Sequence, residues 1–356
     1  MPTMTRRVAR RSFVDQSRPM TSANRIDTPL TAALGIDIPL ICGAMYPCSN
    51  PELIAAVSEA GGIGIVQPIS MMYVHGHDLR EGLRTIKSLT DKPIGFNALV
   101  EKSSQVYEDR MKKWVDIALE EGVRFFITAL GNPDWVARKV HEVGGTVFHD
   151  VTGRVHAKKA IDNGVDGLIC VNSRAGGHAG EKTPMQLLEE LGDFGVPLVC
   201  AGGIGSPEDF VRTLDIGYAG VQLGTRFIAT TECKAHEDYK KAIVRAKAKD
   251  IVLTTRISGI PVAVIETEYV KKVGTETGWL LRKALQHPKT KHYARMAVQL
   301  KSIFELKRAS LKGASYRDYW QAGKSVEGID GIEPASAIVK RFGEAAHASR
   351  AIAAAE

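Results

Sequence analysis

From residue 38 to residue 223, short apolar runs alternate with amphipathic stretches without a break. The runs fall at residues 38–43, 62–66, 93–97, 124–128, 146–149, 167–171, 197–201 and 220–223. Each is continuously apolar rather than alternating, the pattern of parallel strands buried on both faces. Between them the apolar positions take helical spacing, as over 51–60 and 106–121. Eight such strands with their crossovers predict an α/β fold, a (β/α)8 TIM barrel, in preference to an open doubly wound sheet.

Helix starts follow the strands. Asn50-Pro51, Asn132-Pro133, Thr183-Pro184 and Ser206-Pro207 each set a capping side chain before a proline at the first helical position. Thr183 with Gln186, and Ser206 with Asp209, are spaced for capping boxes. These starts all lie at the C-terminal rim of the barrel, where active sites are built.

The alternation stops after residue 240. Helices are expected over 242–250 and 292–311, with loops at 257–261 and 275–278. The chain therefore divides into a basic flexible tail (1–28), the barrel (29–240) and an appended, mainly helical lid or substrate region (241–356) whose alanine-rich end is expected to fray from residue 344.

Composition changes this picture little. With 44% hydrophobic and 24% charged residues, the chain has the make-up of a soluble globular protein, and no apolar run reaches membrane-spanning length. The net charge of +7 is concentrated in the tail, where Arg6, Arg7, Arg10, Arg11 and Arg18 face Asp15 alone. A basic tail of this kind is a solvated segment first, which argues against nucleic acid as a partner. Arg10-Arg11 lacks the apolar stretch that an export signal needs. Cys42, Cys48, Cys170, Cys200 and Cys233 are odd in number and form no C-x-x-C pair, as expected of reduced thiols in a cytoplasmic protein. His75-Gly76-His77 has only Asp78 nearby, so no metal site is expected.

The stretch Val171 to Gly180, VNSRAGGHAG, follows the sixth strand and reads either as a plain turn or as a loop that a planar or anionic ligand can approach, with His178 as its titratable group. Two further rims share the glycines: Ala201-Gly202-Gly203-Ile204-Gly205 after strand seven and Gln222-Leu223-Gly224-Thr225-Arg226-Phe227 after strand eight. Loops after strands seven and eight are the usual phosphate cradle of such barrels, and Thr225 adds a hydroxyl. Asn97 either caps the next loop or reads the edge of a flavin ring through its amide.

Gly43-Ala44-Met45, Ser58 to Gly64, Gly95-Phe96-Asn97, Ala175 to Gly180, Ala201 to Ile204 and Val221 to Phe227 together resemble, in order, the nitronate monooxygenase (2-nitropropane dioxygenase) family. The resemblance spans residues 30–335. It implies an FMN-dependent barrel with a lid. Ala44 and Met45 would place backbone against the ring, and Asn97, Gly176 and Gly177 would lie near it. Gly202, Gly203, Gln222, Leu223, Gly224 and Thr225 would hold ribityl and phosphate. His178 matches the histidine that acts on the substrate. The implied reaction is oxidation of an alkyl nitronate by O2 to a carbonyl compound and nitrite. An NAD(P)H-dependent flavin reductase of a quinone or an enoyl thioester on the same scaffold is the alternative. A flavin-free barrel that binds a phosphate ligand is a third. A small-molecule substrate and O2 are the implied partners, no membrane is involved, and a homo-oligomer is left open.

The chain departs from the family at Val171-Asn172, where Gln-Gly is common, and at Arg174, where Glu is common. Arg174 is either a solvated rim residue or an attractor of an anionic substrate. Strand five ends in His149-Asp150, where some relatives place a lysine near the flavin. Lys324 is either a surface lysine or the replacement for that cation.

Overall fold

The computed structural model describes residues 25–101, 105–257, 259–276, 306–311 and 319–355. The basic tail through residue 24 lies outside them. All eight apolar runs are strands: β1 (Leu40–Cys42), β2 (Ile63–Val66), β3 (Gly95–Leu99), β4 (Phe125–Ala129), β5 (Thr146–Val151), β6 (Gly167–Val171), β7 (Leu198–Ala201) and β8 (Gly220–Leu223). They pair in sequence order, and Ile41 opposite Gln222 closes the barrel. β5 runs two residues past its expected end at 149, through the polar pair His149-Asp150.

Alternation sorts the side chains. Ile41, Ile63, Ile65, Phe125, Ile127, Phe148, Ile169 and Val199 fill the barrel, joined by Leu30 and Leu34 of the short helix Pro29–Leu34. The rings of Phe125 and Phe148 meet edge-on at 5.4 Å. Gly95 and Gly167 make room for them, since a Cβ at either would stand 2.8 Å from Phe125 or 2.4 Å from Phe148. The barrel is thus a packed core below its mouth, as layered interiors of this fold require.

The helices Pro51–Glu59 and Gln105–Glu120 lie within a residue of their predicted bounds. Thr183 and Ser206 both close capping boxes. Asn50 does not cap its helix. Its Nδ2 donates instead to Glu52 at 2.7 Å and to the Glu232 carbonyl at 2.9 Å, tying β1's loop to the start of the lid.

Beyond β8 the architecture differs from a purely helical appendage. A helix spans Glu237–Arg245 and stops where Ala246 turns extended. Then β9 (Ile251–Thr254) and β10 (Val262–Ile265) pair antiparallel, their β-branched residues favouring a ribbon over a helix. The helix expected over 292–311 lies outside the described residues except for 306–311, which are helical. The terminal helix Ala335–Ala355 continues past residue 344 and returns to the barrel wall. Its Phe342 ring lies 5.4 Å from Phe210 of the helix Pro207–Asp215, and a Cβ on Gly343 would press within 2.6 Å of Ile38. It occupies the eighth helical place, so the lid is an insertion between β8 and that helix. No helix among the described residues is long and apolar enough to cross a membrane.

Candidate functional site

The loop after β6 is organised by Asn172, which is fully buried. Its Nδ2 donates to the Gly202 carbonyl at 2.9 Å, and its Oδ1 accepts from the Arg174 amide at 2.8 Å. One side chain thus joins the β6 and β7 rims, which explains why asparagine stands at this departure from the family pattern. The short steps it creates need glycine. A Cβ at Gly202 (φ +115°) would lie 2.5 Å from the Ala175 nitrogen.

The lid is seated directly on this loop. Gly177 and Ala263 of β10 exchange backbone hydrogen bonds at 2.7 and 3.4 Å. A Cβ on Gly176 would stand 2.8 Å from the Gly323 nitrogen, and one on Gly323 would stand 2.6 Å from the Gly176 nitrogen. The Gly323 amide donates to Thr225 Oγ1 at 3.0 Å. The glycines of the A-G-G-H loop therefore answer, in this structure, to contact between loop and lid. Sequence alone offered a plain turn or ligand approach as their reason.

His178 is exposed at the mouth of the barrel. Neighbouring protein nevertheless restricts its hydration and lowers its pKa below the ordinary imidazole value of 6.5. Arg174 lies across Gly203, with Nε at 2.4 Å from where a Cβ would be. The Lys324 amide donates to the Arg174 carbonyl at 2.9 Å, opening the short 3-10 turn Lys324–Gly328. Neither cation forms an ion pair among the described residues.

Met45, next to Ala44, meets Gly224 at the β1–β8 side, where a Cβ on Gly224 would touch Met45 Sδ at 3.5 Å. Leu223 points away from the mouth into the outer core, and its carbonyl accepts from the Gly43 amide at 2.9 Å. Asn97 is an interior strand residue rather than a cap; its Nδ2 reaches the Ile127 carbonyl at 3.4 Å. Gln222 Oε1 and Asp150 Oδ1 are buried without a hydrogen-bond partner among the described residues. Such atoms cost free energy unless something polar meets them.

Two motif residues have structural duties. Arg226, 1% exposed, forms an ion pair with Glu333, which also binds Arg341 of the terminal helix at 2.7 Å. Burial pushes the Arg226 guanidinium down to about 10. His75 Nε2 meets the Pro47 carbonyl at 3.1 Å. A cavity of about 400 Å³ opens at the opposite end of the barrel, among Lys87, Thr90, Arg124 and Thr146, and includes none of the mouth residues. It lies at the end of the fold associated with stability rather than chemistry.

A lid-covered (β/α)8 mouth with a histidine, and with two cations without ion pairs and two buried polar atoms without partners among the described residues, is the arrangement of a barrel enzyme that takes a polar ligand at its mouth. The sequence model of nitronate monooxygenase matches residues 27–342, and the chain belongs to that family of flavin-dependent oxidoreductases. It is 31% identical over 253 residues to a (3aS,4S,5R,7aS)-5-hydroxy-7a-methyl-1-oxo-octahydro-1H-indene-4-carboxyl-CoA dehydrogenase of Mycobacterium tuberculosis, covering 70% of this chain and 69% of that protein. It is 27% identical over 274 residues to a nitronate monooxygenase of Paraburkholderia phytofirmans, covering 65% and 74%. The structure of FabK from Thermotoga maritima superposes with a TM-score of 0.77 at 29% identity, over 93% of this chain and 99% of that one.

Proposed function

We propose that the protein is an FMN-dependent oxidase of alkyl nitronates, with His178 as its acid–base group. The observation that carries this reading is His178 itself, exposed at the mouth on a loop held by Asn172 and β10, with its pKa lowered so that the neutral base prevails at pH 7. A neutral imidazole accepts the α-proton of a nitroalkane. Arg174, fixed at the same rim, supplies positive charge for the resulting anion. Bound FMN would supply electron transfer from substrate to O2. Gly202, Gly203, Gly224 and Thr225 would hold its phosphate and ribityl chain, while Ala44, Met45, Asn97, Gly176, Gly177 and Gln222 would line its path; Leu223, turned into the outer core, would not. The partnerless Gln222 Oε1 supports a polar ligand there.

A second reading is favoured by the second cation. Arg174 and Lys324 are joined through their main chains at one rim, which brings two cationic residues to it and suits a phosphate-bearing substrate, and the M. tuberculosis relative is a dehydrogenase of a CoA thioester. Anaerobic mixing separates the readings. Bleaching of the flavin by ethylnitronate, and by neither NADH nor an acyl-CoA, is the expected result. Bleaching by NADH would instead identify a reductase, and bleaching by an acyl-CoA alone would identify a thioester dehydrogenase.

A further inference from the structure

β5 continues through Asp150 because its ladder with β6 does: Asp150 lies opposite Ile169, an interior residue of the barrel. Phe148 fills the barrel one inward position below Asp150, so strand alternation directs the Asp150 carboxyl inward at the mouth, while His149 turns outward to bond Thr128 Oγ1 at 2.8 Å. Asp150 is half-buried, but its Oδ1 is shut off from solvent with no hydrogen-bond partner among the described residues, and loss of hydration alone pushes the carboxyl up to about 7, with no charged neighbour contributing. An isolated ionised carboxylate in such a place is costly, so the neutral acid is favoured. A neutral carboxylic acid offers one donor and one acceptor side by side.

A flavin has one polar edge and one apolar edge. With the glycine rims of β7 and β8 taking the phosphate end, the inward polar positions on the far side of the mouth are Asn97 of β3 and Asp150 of β5. An imide edge, N–H beside C=O, is the complement of a carboxylic acid, and the two form paired hydrogen bonds.

Resting on the FMN reading above, we propose that Asp150 is a cofactor-positioning residue whose protonated carboxyl pairs with the pyrimidine edge of the flavin, accepting from N3–H and donating to the adjacent carbonyl. The position where some relatives carry a cation thereby holds a neutral pairing group.

The test uses FMN and N3-methyl-FMN as probes, binding followed by quenching of flavin fluorescence, with thermal unfolding of the flavin-free protein at pH 8. Wild type is expected to bind FMN about tenfold or more tighter than N3-methyl-FMN, the worth of about one net hydrogen bond. Asp150→Asn, which keeps one donor and one acceptor, should retain that preference. Asp150→Ala should lose it, binding both flavins alike, while its flavin-free form melts no lower than wild type. If Asp150→Ala retains the preference for FMN, or if it loses flavin affinity only in step with a fall in melting temperature, Asp150 has no such role. Failure of wild type to bind FMN at all would remove the FMN reading itself.

Discussion

The main-chain nitrogen of Lys324 donates to the carbonyl oxygen of Arg174 at 2.9 Å, so two cationic side chains start from one point where the lid meets the β6 loop. Arg174 stands where the family commonly has a glutamate, and no carboxylate among the described residues neutralises it. Restoring that charge with Arg174→Glu should raise KM for an anionic substrate by about tenfold or more, the effect of removing a charge-assisted contact, while FMN content stays unchanged. Steady-state kinetics with ethylnitronate at two ionic strengths measures both the loss and its screening.

Replacing His178 with alanine should lower turnover of neutral nitroalkanes by about 10²–10⁴-fold, the range for loss of a general base. Preformed nitronates, already deprotonated, should suffer less. Because neighbouring protein restricts the histidine's hydration and lowers its pKa, the wild-type rate should rise with pH and level off, with its acid limb below 6.5. A limb above 6.5, or one that survives in His178→Ala, would assign the proton to another group.

Gly176→Ala tests the seat of the lid. The new Cβ would lie 2.8 Å from the Gly323 nitrogen and 3.0 Å from the Ala322 carbonyl carbon, both backbone atoms, so the segment must shift. A stability loss of about 1–3 kcal/mol is expected from such overpacking. Urea unfolding measures it, and limited proteolysis should show faster cleavage in the lid.

The adjacent residues His149 and Asp150 pull stability in opposite directions with pH. Burial depresses His149 to about 4, so its contribution is lost as pH falls from the ordinary 6.5 toward 4. Asp150 is raised from 3.8 to about 7, so the folded state holds its proton longer than the unfolded state does, and stability is lost as pH rises across that window. The advantage of Asp150→Asn over wild type in the flavin-free protein should therefore grow from pH 4 to pH 7 and then stay level. Thermal melts at intervals across that range provide the check.

Much of this was legible in the chain. Eight buried parallel strands leave continuous apolar runs, and Thr183 and Ser206 announce their helices by local chemistry. The ribbon β9–β10 was not legible, because two four-residue runs separated by a loop carry little periodicity and pair only with a lid already in place. The inward aim of Asp150 was hidden for a related reason. An inward aim requires the strand to continue, and the expected strand ended at His149, one residue short of Asp150. Asn172 was visible as a departure, but its link to Gly202 depends on two rims that only the closed barrel brings together.

Arg226→Met should destabilise the protein by about 3 kcal/mol, the low end for breaking a buried ion pair, since Glu333 keeps Arg341. Chemical denaturation gives the number. Flavin spectra of the folded variant should match wild type, because Arg226 is turned toward Gly331 and Glu333 rather than toward the mouth.

The same neck has an architectural consequence. Thr231 binds the Glu333 carbonyl at 3.2 Å, and the Ala335 amide is held by the Glu232 carboxylate at 3.0 and 3.1 Å, so the chain leaves the barrel and returns to it through one clasp. Whatever is strung beyond that clasp is, to the barrel, a closed loop. Doubling a loop's length costs only about 0.6 kcal/mol. The barrel can therefore accept lids of very different size and shape, which makes the insertion an exchangeable part through which one redox scaffold can be refitted to new substrates.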